Sequence, residues 1–208
     1  MTPRQIEQFM STLAAEIGVP ARAYLTGAAA AALWGRVRPS FDVDLGLELK
    51  RKSGTSWEVI ERAVERTTRL TGIAVSVAED IDRWGMITLL DYKRTSRRYR
   101  LFGQLELRLL HPANWSIGKL TRSLESDLRD VVEVFRRQSV SSTKVVSTWG
   151  RALRASPAST AQFQFRRNVE RFLRQRGRRV WGESFDVQAA VGAFWRAARI
   201  ARAEVRST

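Results

Sequence analysis

The hydrophobic period of this chain changes character once, near His111. Before that point, segments that alternate apolar and polar residues are interleaved with segments of helical spacing; after it, only helical spacing occurs. Alternation with period two builds half-buried strands, and a 3.6 period builds amphipathic helices. The sequence therefore predicts a mixed α/β (α+β) unit over residues 1–111, followed by a helical region over residues 112–208.

Ile6, Phe9, Met10, Leu13 and Ile17 fall on one helical face over residues 3–17, and Gly18 and Pro20 end that helix. Ala23 to Thr26 reads as a strand, and Gly27 leads into a small-residue helix from Ala28 to Trp34. Phe41 to Leu47 alternates as a strand with Asp42 and Asp44 on one side. Thr55 and Glu58 form a capping box for a helix that Gly72 ends, and Ile73, Val75 and Val77 form the next strand. Met86 to Tyr92 is a further expected strand, and Arg98 to Leu110 a hairpin turning at Gly103. Helices are expected over 112–123, 126–138, 143–154, 158–176 and 187–205.

Composition narrows the chemistry. The 208 residues include no Cys and one His, which excludes a disulfide scaffold, a thiolate nucleophile and any multi-His metal cluster, so a metal must be held by carboxylates. The apolar runs are too short to cross a membrane and the first residues lack a signal pattern, so a cytoplasmic location without membrane attachment is expected. The formal net charge is +15, with 13 basic and 4 acidic residues in 151–208 alone. Such an excess attracts phosphate backbones or acidic surfaces. Of the 36 basic residues 31 are Arg, a bias that base composition alone can also produce.

The aspartates carry the strongest chemical signal. Two carboxylates at i and i+2 on a strand project to the same side and repel unless a cation lies between them, and a hard cation such as Mg²⁺ or Mn²⁺ suits oxygen ligands at that spacing. Upstream stand a strand, a glycine at its end and a helix N-terminus, whose backbone N–H groups favour a phosphate. Downstream, Asp91 is the expected third carboxylate, with Glu106 on Leu105-Glu106-Leu107 as its rival. Taken alone, Asp-x-Asp is also what a solvated strand face displays.

In order and spacing these parts resemble the nucleotidyltransferase superfamily of the polymerase β type, and most closely its abortive-infection (type IV) toxin-like members and minimal relatives. The residues concerned are Tyr24-Leu25-Thr26-Gly27-Ala28, Arg38-Pro39-Ser40-Phe41-Asp42-Val43-Asp44, Ile87-Thr88-Leu89-Leu90-Asp91, Gly118-Lys119-Leu120 and Asp127-Leu128-Arg129-Asp130. The likeness spans residues 20–138 and implies a nucleotidyltransferase-fold mixed sheet with packed helices. It implies that Asp42, Asp44 and Asp91 hold Mg²⁺ or Mn²⁺ and position an acceptor hydroxyl, while Gly27, Ala28, Arg38 and Ser40 line the triphosphate. Lys119 would neutralise phosphate charge, with Asp130 orienting it or acting as base. The implied activity moves a nucleoside monophosphate from an NTP to a hydroxyl, with RNA such as a tRNA 3′ end as acceptor and an antitoxin protein as partner.

Position 28 departs from the pattern, having Ala where the superfamily often has Ser. A hydroxyl contact to phosphate is lost, worth about 1.5–3 kcal/mol if nothing replaces it. A catalytically weakened fold acting as an RNA-binding or antitoxin-type module is therefore the alternative, and a DNA-binding regulator using its basic helices a third. Simpler roles also exist for single residues: Lys119 as a surface lysine, Asp127 and Asp130 as complements to a helix dipole, and Lys93 to Arg100 as a solvated hairpin tip.

Overall fold

The computed structural model describes residues 1–35, 41–50 and 57–200 of the chain. Arg38, Ser40 and the capping residue Thr55 lie outside the described residues. The chain forms two compact units, one of residues 1–81 and 93–111, the other of residues 82–92 and 112 onward.

The first unit is built on helix α1 (Pro3–Ile17), strand β1 (Ala21–Thr26), helix α2 (Gly27–Trp34), strand β2 (Asp42–Leu49), helix α3 (Trp57–Thr71) and strand β3 (Ala74–Ala78). After a short helix α4 (Tyr92–Thr95), the hairpin β4 (Arg97–Phe102) and β5 (Leu105–Leu109) completes it. Thr2 and Gln5 close a capping box at the start of α1, and Gly18, at φ +64°, ends it with its N–H on the Ala14 carbonyl. The strands form one mixed sheet in the order β3-β2-β1-β5-β4, with β1 antiparallel to β2 and parallel to β5.

Period two separates the sheet's faces. Ala21, Ala23, Leu25, Val43, Leu45, Leu47, Leu105, Leu107 and Leu109 make one face and are buried, as are Ile6, Phe9, Met10 and Leu13 of α1 and Ile60 and Ala63 of α3. The register sets Thr26 opposite Asp44, Tyr24 opposite Gly46 and Arg22 opposite Glu48, with Arg108 and Glu106 of β5 beside Tyr24 and Arg22. This second face is polar.

The second unit contains α5 (Pro112–Arg122), α6 (Glu125–Arg137), α7 (Ser142–Ala155), α8 (Thr160–Trp181) and α9 (Val187–Ala198). Phe135, Trp149 and Phe172 form its aromatic centre, with ring centroids 5.8–6.4 Å apart. The indole N–H of Trp149 donates to Ser116 Oγ at 2.9 Å, so the buried ring's one polar atom is satisfied. Helices α7 and α9 approach so closely at Gly150 that a Cβ there would stand 2.5 Å from the Ala197 Cβ.

Three expectations are corrected. Helix α9 ends at Ala198, where Arg199 at φ +58° caps it, instead of running on to 205. Residues 86–91 are not a strand: Ile87 is buried, the Thr88 N–H donates to Ser156 Oγ at 2.9 Å, and the Leu89 N–H donates to the Asp82 carboxylate. Side chains of the helical unit and of the preceding 3₁₀ turn (Ile81–Trp84) take the backbone donors that a neighbouring strand would otherwise satisfy. Helix α8 also runs to Trp181 instead of ending at 176. Gly177 lies inside it because the Phe185 ring packs where a Cβ would project, 2.4 Å from that position. Among the described residues no helix is long and apolar enough to cross a membrane.

Candidate functional site

Strand β2 opens with the two aspartates. Val43 between them is fully buried, which pins the alternation and turns both carboxylates to the polar face; Asp42 is exposed and Asp44 half-buried. Asp44 pairs across the ladder with Thr26, the last residue of β1, and the chain then turns at Gly27 into α2. Gly27 has φ +64°, and a Cβ on it would lie 2.0 Å from Asp44 Oδ2. Glycine is thus required twice here, for its backbone conformation and for the space the carboxylate fills. The Asp44 carboxylate accordingly stands at the N-terminal end of α2, where the helix dipole favours negative charge. Ala28 is half-buried in the first turn of that helix.

The rest of the polar face is an ion-pair lattice. Glu106 takes hydrogen bonds from Lys50 Nζ at 2.8 Å and Arg108 at 2.6 Å. The Lys50 bond, joined by Arg108, outweighs burial and holds the Glu106 carboxyl at about 2. Tyr24 donates its hydroxyl to Glu48 at 2.8 Å, and burial first, then that acceptor, pushes its phenol up to about 12. Lys93 reaches Glu48 from α4 at 3.3 Å. Arg108 is fixed further by Ser96, through its Oγ at 2.9 Å and its carbonyl at 2.6 Å.

Glu106 does not join the aspartates. It stands in the Arg22 row, four residues from the Thr26 row that faces Asp44, which is about 13 Å along the strands before two strand spacings are added. Ligands of one Mg²⁺ each lie about 2.0–2.1 Å from the ion, so this carboxylate is out of reach. Asp91 lies in the second unit, in the turn before α4, at φ +56° and with its carboxylate 3.1 Å from Arg151. Among the described residues no group of three His, Asp or Glu side chains is arranged to hold a metal.

Lys119 and Asp130 are brought together, in the helical unit. Lys119 Nζ donates to Asp130 Oδ2 and to Asp127 Oδ1, each at 2.9 Å, and all three residues are at least 95% buried. Arg122 adds two bonds to Asp127, at 3.0 and 3.1 Å. Burial pushes the Asp127 carboxyl up, and the bonds from Arg122 and Lys119 outweigh it, leaving it below its ordinary value. Lys119 is thus packed between two carboxylates under the surface as a buried ion triad.

Sequence reasoning passed over Asp127 as the second carboxylate on Lys119, and Lys50 and Arg108 as the cations on Glu106. The Lys119–Asp127 spacing of eight residues crosses a helix break and has no periodic signature. The alternation of Glu106 with Arg108 on β5 did carry a signal, since i and i+2 on a strand share a face.

The donor set decides which metal arrangement is compatible. Mg²⁺ in nucleotide sites is commonly held by one or two carboxylates together with substrate phosphates. Asp42 and Asp44 fit that arrangement, and the described residues do not supply an all-protein cage. Comparison of the chain with protein-family models, with curated proteins and with solved structures found no match.

Proposed function

We propose that the aspartate end of the sheet binds a metal-complexed nucleoside triphosphate and transfers its nucleoside monophosphate to a hydroxyl, RNA being the acceptor. The observation that carries this reading is the seating of the Asp44 carboxylate over the bare Cα of Gly27, which joins the carboxylate pair to the first turn of α2. Phosphate oxygens would meet the backbone N–H groups of that turn, and a divalent ion between Asp42, Asp44 and the phosphates would supply Lewis-acid stabilisation. In the reaction the acceptor oxygen bonds to the α-phosphorus, the bond from that phosphorus to the bridging oxygen breaks, and pyrophosphate leaves with the electron pair. The hydroxyl proton passes to the exposed Asp42 carboxylate. Positioning and electrostatic stabilisation carry most of such a reaction.

One observation favours a second reading. Glu106 is held by Lys50 and Arg108 in the Arg22 row, and among the described residues of the first unit no third carboxylate is grouped with Asp42 and Asp44. A fold that binds nucleotide or RNA without transfer would need no more. Incubation with each α-³²P-labelled NTP, Mg²⁺ and total RNA, beside Asp42→Ala/Asp44→Ala, separates the two. Label entering RNA with wild type alone is the expected result; no label with any NTP, and equal RNA retention by both proteins, overturns the transferase in favour of the binding module.

A further inference from the structure

Helix α8 carries seven Arg and one acidic residue, Glu170, in 22 positions. Its buried face is Phe165, Asn168, Val169, Phe172, Leu173 and Gly177. On the opposite side Arg167, Arg171, Arg174 and Arg178 recur at steps of four, three and four and are all exposed, a straight stripe about 16 Å long. Of the other three arginines of the helix, Arg166 pairs with Glu170 at 3.2 Å and Arg176 with Glu125 at 2.8 Å, while Arg179 is exposed off the stripe. Glu170 also accepts the Trp195 indole N–H at 2.8 Å, so the helix's one acid is already occupied. Arg167 stacks over Phe163 at 5.8 Å, and among the described residues Arg171, Arg174 and Arg178 form no ion pair.

Such a stripe works against the helix that bears it. Like charges at i, i+3 and i, i+4 each destabilise a helix by a few tenths of a kcal/mol, and the stripe contains three such neighbours. Arg178 has a local reason to be there, since it stands in the last turn where the dipole favours a cation. Arg171 and Arg174 stand in the middle, and Glu170, four residues before Arg174, already meets Arg166 and the Trp195 indole. Beside them Arg167, Glu170, Arg171, Arg174 and Gln175 line a shallow hollow of about 250 Å³. That is below the ~300–1,000 Å³ of pockets that enclose a small molecule, and it is open to one side as a backbone phosphate would require.

We infer that this face of α8 is a docking surface for the phosphate backbone of a polynucleotide, with Arg167, Arg171, Arg174 and Arg178 each meeting one phosphate. Guanidinium forks suit phosphate bidentately, and the exposed Gln164 and Gln175 flank the stripe with neutral donors. Contacts of this kind read charge spacing and not base sequence. The surface lies wholly within the second unit and does not depend on NMP transfer, so binding can be present or absent whichever way the transfer experiment falls.

The test measures affinity of the full chain for a labelled 12-base-pair RNA hairpin from 50 to 200 mM salt. Four phosphate contacts predict a loss of about 10²-fold across that range, from a slope of ~0.9 per phosphate in log affinity against log salt. Arg171→Gln/Arg174→Gln/Arg178→Gln should flatten the slope by about 2.7, while Arg4→Gln/Arg62→Gln/Arg69→Gln, of equal charge loss on the first unit, should leave it within about half a unit. Thermal melting should show the α8 triple variant folded and no less stable, because like-charge neighbours have been removed. Equal flattening by both triple variants would overturn the proposal in favour of diffuse attraction by net charge. So would salt-dependent binding of poly-glutamate, with the same α8 dependence, in the absence of hairpin binding, which would make the stripe a surface for an acidic protein.

Discussion

Replacing Lys119 by Met isolates the buried ion triad of the helical unit. The substitution keeps the length and apolar stem of the side chain and removes the ammonium from between Asp127 and Asp130, which are 0% and 4% exposed. Withdrawing one partner from a buried, hydrogen-bonded charge pair costs about 3–5 kcal/mol, because the remaining charge is left in a poorly solvating place. Arg122 still holds Asp127 through two bonds, which places the expected loss nearer 3 than 5 kcal/mol. In thermal melting this is a fall on the order of 10 °C. The pH dependence supplies a second signature. Asp127 is held below its ordinary value of 3.8, so its stabilisation is fully present above that pH and is lost as pH falls through the folded-state value. The difference between wild type and variant should therefore be full at pH 7 and shrink as pH drops below about 4. A variant that melts with wild type at pH 7 yet has lost nucleotide binding or transfer would refute the reasoning, since Lys119 would then be spending its charge on a ligand.

Gly27→Ala should be destabilised by at least about 1–2 kcal/mol from the left-handed backbone alone. It should also lose Mg²⁺–nucleotide binding in calorimetry, because the new methyl displaces Asp44; unchanged nucleotide affinity would remove the turn from the site. Gly150→Ala drives a methyl into Ala197 and the Phe194 carbonyl, 2.5 and 2.8 Å away, and urea unfolding should report a loss of about 1–3 kcal/mol. Glu106, held at about 2 against an ordinary 4.5, contributes stability that is present above pH 4.5 and lost as pH falls towards 2. Acid unfolding of Glu106→Gln, followed by circular dichroism, should be flatter than wild type across that window, and identical curves would exclude the Lys50–Glu106–Arg108 lattice as a contributor.

Where the sequence was informative, a single physical rule acted over a short stretch. Alternation over Asp42 to Leu47 needs only a strand with one covered face, and Val43, Leu45 and Leu47 are indeed the covered side. The helical spacing of Ile6, Phe9, Met10 and Leu13 and the glycine at 18 fix α1 in the same local way. Where it failed, distant partners decided. Ile87-Thr88-Leu89-Leu90 is apolar enough to be a strand, but its amide hydrogens at Thr88 and Leu89 go to Ser156 and Asp82, partners the local pattern does not show. Gly177 reads as a helix stop until Phe185, eight residues on, is found packed against it. At the candidate site the spacing of Asp42 and Asp44 was legible from one strand, whereas the placement of Asp91 and Glu106 depended on which unit or strand row each joined.

The membership of residues 82–92 in the helical unit bears on how the protein is taken apart and how it is made. The chain enters that unit, leaves it to lay down β4 and β5, and enters it again at Pro112, so a cut at the point where the hydrophobic period changes would leave residues 82–92 behind with the first unit. A fragment of residues 112–208 would leave Ser156 Oγ without the Thr88 amide it accepts from. On the ribosome the same arrangement means that residues 82–92 are synthesised before any of the five long helices they belong with. The Thr88 amide therefore emerges 68 residues before the Ser156 hydroxyl that accepts from it, with β4 and β5 made in between.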